Sequence, residues 1–216
     1  MSQNNDFLGT EPIGKLLRRL AIPTVTAQLI NMLYNIVDRI YIGHIPVNGD
    51  LALTGVGVCM PVIMIVSAFA ALTGMGGAPR TSIFMGRGDR DSAEKTLGNC
   101  FFLQVALSAV LTAALLLWNR PLLLAFGASA NTIGYATDYM NIYALGTLFV
   151  ELTLGMNAFI TAQGFAKTSM LSVLIGAIGN IILDPILIFG FDMGVRGAAL
   201  ATILSQLASC VWVLTF

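Results

Sequence analysis

Residues 51–78 read LALTGVGVCMPVIMIVSAFAALTGMGGA, a stretch with no charged side chain. It is longer than the roughly 20 residues that a helix needs to cross a hydrocarbon core. Comparable runs recur on both sides of it. The whole chain of 216 residues is 56% hydrophobic and 10% charged, with a mean hydropathy of +0.83. An average soluble domain is about a quarter charged, so a soluble fold is excluded. Lipid cannot satisfy backbone polar groups, and the runs are continuous rather than alternating at period two. Helices are therefore favoured over a barrel. The expected fold is all-α: a polytopic six-transmembrane-helix bundle. Its spans fall near 16–43, 51–78, 97–118, 133–163, 169–191 and 197–216, and together form one membrane unit over 1–216.

Connector charge gives the expected orientation. Lys15, Arg18, Arg19, Arg80, Arg87, Arg90, Lys95 and Lys167 fall on one side, whereas Arg120 and Arg196 fall on the other. The positive-inside rule then puts both termini in the cytoplasm of a multi-pass inner-membrane protein. The apolar run after the basic N-terminal segment is too long for a cleaved leader and reads as an uncleaved first span. Asp91 or Ser92 is expected to cap the third helix. The last span ends at Phe216 without a basic flank, which reads as a fragment of a longer chain. Net charge is zero with no basic tail, so nucleic acid is not an expected partner. The three cysteines, Cys59, Cys100 and Cys210, lack metal-site spacing and read as buried thiols.

Polar residues inside the spans carry the functional reading. On the first span Asn31, Asn35 and Asp38 share one face, at about 100° per residue. On the fifth, Asn180 and Asp184 share another, and Pro185 leaves the Ile181 carbonyl without its helical donor. On the sixth, Thr202 and Gln206 lie on one stripe with Ala198. With the spans alternating in direction and rising about 1.5 Å per residue, Asp38, Asp184 and Thr202 reach one level in the outer half of the bilayer. Two intramembrane carboxylates at one depth suit a proton- or cation-binding site. Glu151, alone in the fourth span, is a third acidic candidate. Asn31, Asn35, Glu151 and Gln206 are candidates for a substrate cavity, with Met60, Met64, Met156, Phe149 and Phe159 as possible apolar lining or packing. The stripe Gly197, Ala201, Ser205 and Ser209 marks close helix packing.

Asn35-Ile-Val-Asp38-Arg-Ile-Tyr-Ile-Gly43, Gly86-Arg-Gly-Asp89, Gln163-Gly164 with Lys167, Asn180-Ile-Ile-Leu-Asp184-Pro-Ile-Leu-Ile-Phe-Gly190 and Gly194-Val-Arg-Gly-Ala-Ala-Leu-Ala-Thr202 occur in this order along the chain. In order and spacing this set resembles the multidrug and toxic compound extrusion family of transporters. The resemblance implies the N-terminal lobe of a twelve-helix antiporter that exports amphipathic, often cationic drug-like molecules in exchange for protons or sodium. It implies a transporter rather than an enzyme, and no cofactor beyond the coupling ion. The missing partner is a C-terminal lobe. The resemblance assigns the proton or sodium site to Asp38, Asn180, Asp184 and Thr202. A lipid or oligosaccharide-lipid flippase of related architecture is the alternative; basic residues in the cavity would favour it, and only Arg39 is available. An intramembrane aspartyl protease fits less well, because neither aspartate sits in a Gly-x-Gly-Asp segment.

Overall fold

A computed structural model describes residues 11–216. The reading of the N-terminal segment as an uncleaved first span rests partly on residues 1–10, outside the described residues. The described residues are helical, with no strand among them. The helices are α1 (Ile13–Gly43), α2 (Gly49–Gly86), α3 (Arg90–Ala125), α4 (Ile133–Leu145), α5 (Thr147–Ala162), α6 (Ala166–Pro185) and α7 (Val195–Thr215). Five are single spans by length and hydropathy, and α4 and α5 form a sixth, bent by 59° at Gly146.

The helices differ from the predicted spans in instructive ways. α2 and α3 project past the apolar runs into polar sequence at the Gly86–Arg90 turn. A hydrated helix end costs nothing once its last turns reach water, so hydropathy alone underestimates its length. α3 leaves helical geometry at Trp118 (φ −115°, ψ 17°), where the predicted span stops, and resumes through Pro121 to Ala125. The cap of α3 is Asp89 rather than Asp91 or Ser92: its carboxylate accepts from the Ser92 backbone N–H at 3.1 Å. Asp91 sits inside the first turn, bonded to Lys95 at 2.6 Å.

Bonds to the Ser92 hydroxyl and backbone N–H hold the Asp89 carboxyl below its usual range. The cap's stabilisation is therefore complete above the ordinary aspartate value of about 3.9 and fades as pH falls through the lower folded value. Asp89→Ala is expected to lower thermal retention in detergent at neutral pH and to leave it unchanged in strong acid. A loss of equal size at both pH values would refute the cap.

Register follows from cross-helix contacts. Cys59 bonds the Ala136 carbonyl at 3.4 Å, and Ser82 bonds the Ala162 carbonyl at 3.0 Å. α2 therefore runs in the same direction as the bent span and touches both of its limbs. Asn180 faces Thr202 at 3.5 Å and Ser209 bonds the Ser172 carbonyl at 2.8 Å, so α6 and α7 are antiparallel. α1 packs chiefly on α6 and only thinly on α2 and α7. Its direction matches α6, since Asp38 meets Asp184 and the Tyr41 ring meets Phe189 at 6.3 Å.

In lipid, helices associate through close packing and hydrogen bonds rather than through the exclusion of water. The contacts here are of that kind. A Cβ on Gly74 would stand 3.1 Å from the Gly155 carbonyl oxygen, and one on Gly176 would stand 2.7 Å from the Ser209 hydroxyl. Two apolar clusters complete the core: a larger one with Ile42, Val56, Val66, Met140 and Ile188, and a smaller one with Leu152, Met156, Phe159 and Val213.

Candidate cation-binding site

The end of α6 sets the site. Pro185 closes the helix, and Ile186–Gly190 continues as one π-helical turn. A proline supplies no amide to the preceding turn, and the wider turn redirects the chain. Asp184 therefore lies at a break in the hydrogen-bond ladder, fully buried, and Asn180, four residues before it, is 2% exposed.

Four predicted residues converge there. The Asn180 Nδ2 donates to Asp184 Oδ1 at 3.3 Å and to Thr202 Oγ1 at 3.5 Å. The Thr202 hydroxyl itself donates to the Ala198 carbonyl at 3.0 Å. Asp38 of α1 brings its carboxyl against that of Asp184. Three buried oxygens, Asp38 Oδ1, Asp184 Oδ2 and Asn180 Oδ1, have no hydrogen-bond partner among the described residues. An ionised carboxylate is an acceptor only, so two in contact cannot satisfy each other without a proton or cation between them. Two carboxylates, an amide oxygen and a hydroxyl make a hard donor set, suited to a proton or an alkali cation and not to a thiolate- or imidazole-seeking metal.

Beside the pair is a cavity of about 330 Å³, lined by residues of α1, α2, α4, α5 and α7. Asn31, Asn35 and Gln206 line it as expected for a substrate cavity, together with Met60 and Met64. The Asn35 amide is bonded to the Asn31 carbonyl at 2.6 Å, while Gln206 Oε1 has no partner. Arg39 is the sole basic side chain in the lining. Glu151 is not among the lining residues; it is fully buried elsewhere in the bundle, and Met156 and Phe159 pack in the smaller apolar cluster.

Three tyrosines were not foreseen. Tyr34, Tyr139 and Tyr143 line the cavity, and the Tyr139 hydroxyl meets that of Thr202. The signal was available: Tyr34 stands four residues before Asp38, and Tyr139 and Tyr143 are four apart on one face. A phenol in an apolar run reads as core, and its hydroxyl becomes informative only once the neighbouring helix is known.

A bundle of six apolar spans, with buried acceptors bordering a cavity between its helices, is the architecture of a multi-pass membrane protein. The MatE family model matches residues 23–186, and the chain belongs to that family. The multidrug export protein MepA of Staphylococcus aureus (strain NCTC 8325 / PS 47) is 27% identical over 210 residues, covering 97% of this chain and 46% of the relative. MepA of Staphylococcus haemolyticus (strain JCSC1435) is 29% identical over 194 residues, 90% of this chain and 42% of its own. A solved outward-facing multidrug resistance MATE family transporter of the MOP superfamily superposes with a TM-score of 0.89 at 27% identity, over 99% of this chain and 46% of that one. The chain thus spans about half the length of the relatives it matches.

Proposed function

We propose that this chain is the N-terminal half of a secondary active multidrug efflux antiporter of the cytoplasmic membrane, with both termini in the cytoplasm, exporting amphipathic cationic compounds in exchange for protons or sodium. The convergence of three partnerless oxygens on the Asp38–Asp184 pair carries this reading. Asp38, Asn180, Asp184 and Thr202 hold the coupling ion, and the cavity bordered by Asn31, Asn35 and Gln206 supplies half of the substrate site. A C-terminal lobe, like the remainder of the relatives' length, supplies the other half. One basic side chain at the lining offers a poor match to a lipid phosphate, which counts against the flippase alternative.

The coupling follows from packing. With the ion bound, its charge offsets the carboxyl pair and α1 stays against α6. With the ion gone, two carboxylates in a poorly hydrated contact repel, and α1 is the helix with the fewest other contacts to restrain it. Ion occupancy thereby shifts the balance between two positions of α1 and changes the shape of the cavity. No organic cofactor enters this scheme.

The test is export of a fluorescent cationic dye from cells that express this chain alone or with a matching C-terminal half, across imposed pH and sodium gradients. Gradient-dependent export with both halves is expected; none under either gradient would refute the reading. Within the site, Thr202→Val removes a hydroxyl that faces Asn180 and Tyr139. Ion affinity, read as the shift of thermal melting with sodium or pH, should fall about tenfold, the equivalent of one good hydrogen bond to a charged group. Thr202→Ser should retain it. Equal loss in both variants would place the role in packing.

A further inference from the structure

The seam between α3 and α5 holds a second polar group of residues on a different helix pair from the site above. Its register is fixed at two points. The Gln104 side-chain amide lies directly over Gly155, and the Thr112 hydroxyl bonds the Ala144 carbonyl at 3.1 Å, just before the bend at Gly146. The helices are therefore antiparallel, and Ser108, midway between Gln104 and Thr112 on one stripe of α3, stands level with Glu151. On α5, Thr147, Glu151 and Gly155 form the facing stripe.

Gln104, Ser108, Thr147 and Glu151 are all at most 2% exposed. Both carboxyl oxygens of Glu151, both polar atoms of the Gln104 amide and the Thr147 hydroxyl have no hydrogen-bond partner among the described residues. Ser108 donates to the Val105 carbonyl at 2.8 Å, leaving its oxygen able to accept. No cation among the described residues offsets Glu151. The charged side chains of α2, α3, α6 and α7 lie near helix ends (Asp50 and Arg80; Arg90 to Lys95 and Arg120; Lys167 and Asp184, the latter paired with Asp38; Arg196). From α4, Tyr143 is the titratable group that interacts electrostatically with Glu151.

An isolated carboxylate in such surroundings costs far more than its protonated form, and each partnerless polar atom adds a desolvation penalty. Protonation removes the charge, and the acid O–H can then donate to an acceptor the seam leaves open, the Gln104 amide oxygen, the Ser108 oxygen or the Thr147 hydroxyl.

We propose that Glu151 is a second proton site of this lobe, independent of the Asp38–Asp184 pair, buried in the α3–α5 seam at the level of Ser108. The proton comes from water and returns to it; no other bond is made or broken. The inference stands on the α3–α5 seam alone and does not depend on the transport reading.

The chain has three glutamates, which makes the test selective. Glu11 is ion-paired with Lys15 and Arg19, and Glu94 is exposed. Infrared spectra of the chain in lipid nanodiscs, with carbon-13 in the glutamate carboxyls, should show one isotope-shifted band of a protonated acid at neutral pH. Glu151→Gln should abolish that band, Gln104→Leu should move it, and Asp38→Asn should leave it in place. Three ionised glutamates in the wild-type chain would overturn the proposal, and that spectrum requires no variant to fold. A band lost on adding sodium at fixed pH would also overturn it, assigning a metal cation instead.

Discussion

Dye export by the two-half transporter is expected to fall to the level of cells lacking the protein when Asp38 is replaced by Asn. The substitution keeps the size of the side chain and removes one of two charges. The new amide can donate to Asp184, which now has a partnerless oxygen and meets the Asp38 carboxyl. The variant thus mimics the ion-bound state permanently: α1 remains on α6 and the repulsion that would release it is gone. Thermal retention should match or exceed that of the wild type, because an unfavourable pair has become a hydrogen-bonded one. Loss of export with intact stability separates a coupling role from a folding role. Wild-type export in this variant would sink the mechanism.

The second large effect is expected at Gly197. A Cβ placed there would meet the Leu187 backbone carbon and oxygen at 2.7 Å and the Ile188 nitrogen at 2.9 Å. Those atoms belong to the π-helical turn that follows Asp184-Pro185, and a backbone cannot rotate aside as a side chain can. Gly197→Val should therefore destabilise the lobe by about 1–3 kcal/mol or more, the usual range for overpacking. Because the displaced turn adjoins Asp184, ion-dependent protection against melting should weaken as well. Gly98→Ala, where nothing lies within 4 Å, is the control and should be neutral or slightly stabilising. Equal behaviour of the two variants in detergent melting would show that the turn tolerates displacement.

The sites of both effects were readable to different degrees. Asp38, Asn180, Asp184 and Thr202 stand out because lipid-exposed polar groups are so costly that four of them, spaced to share faces and depth, demand a common interior. The family resemblance named the same four. The all-α bundle was legible for a related reason, since apolar runs of this length have few structural uses. What stayed hidden depends on which helix faces which. Gly146 sits in an apolar run where glycine is ordinary, so nothing marked it as the bend between α4 and α5. Glu151 could be recognised as acidic and intramembrane, yet its place opposite α3 rather than in the cavity depends on the rotation of α5 after that bend. The tyrosines of the cavity were passed over because a phenol pattern and a core pattern coincide. Asp89 displaced Asp91 and Ser92 as the cap because the turn at Gly88, with φ +76°, brings the earlier carboxylate over the first amides.

The contact of α2 with both limbs of the bent span has a mechanical consequence. Contacts at Cys59–Ala136 and Ser82–Ala162 tie one continuous helix to each limb of an elbow, so the 59° angle is splinted on both sides. Straightening the elbow would drag its limbs along that helix and shear two sets of contacts at once. α1 carries no such splint, being fastened along a single neighbour. Deformation in the lobe is thereby channelled into one loose strap on a stiff frame, and the carboxyl pair sits where strap and frame are buckled together.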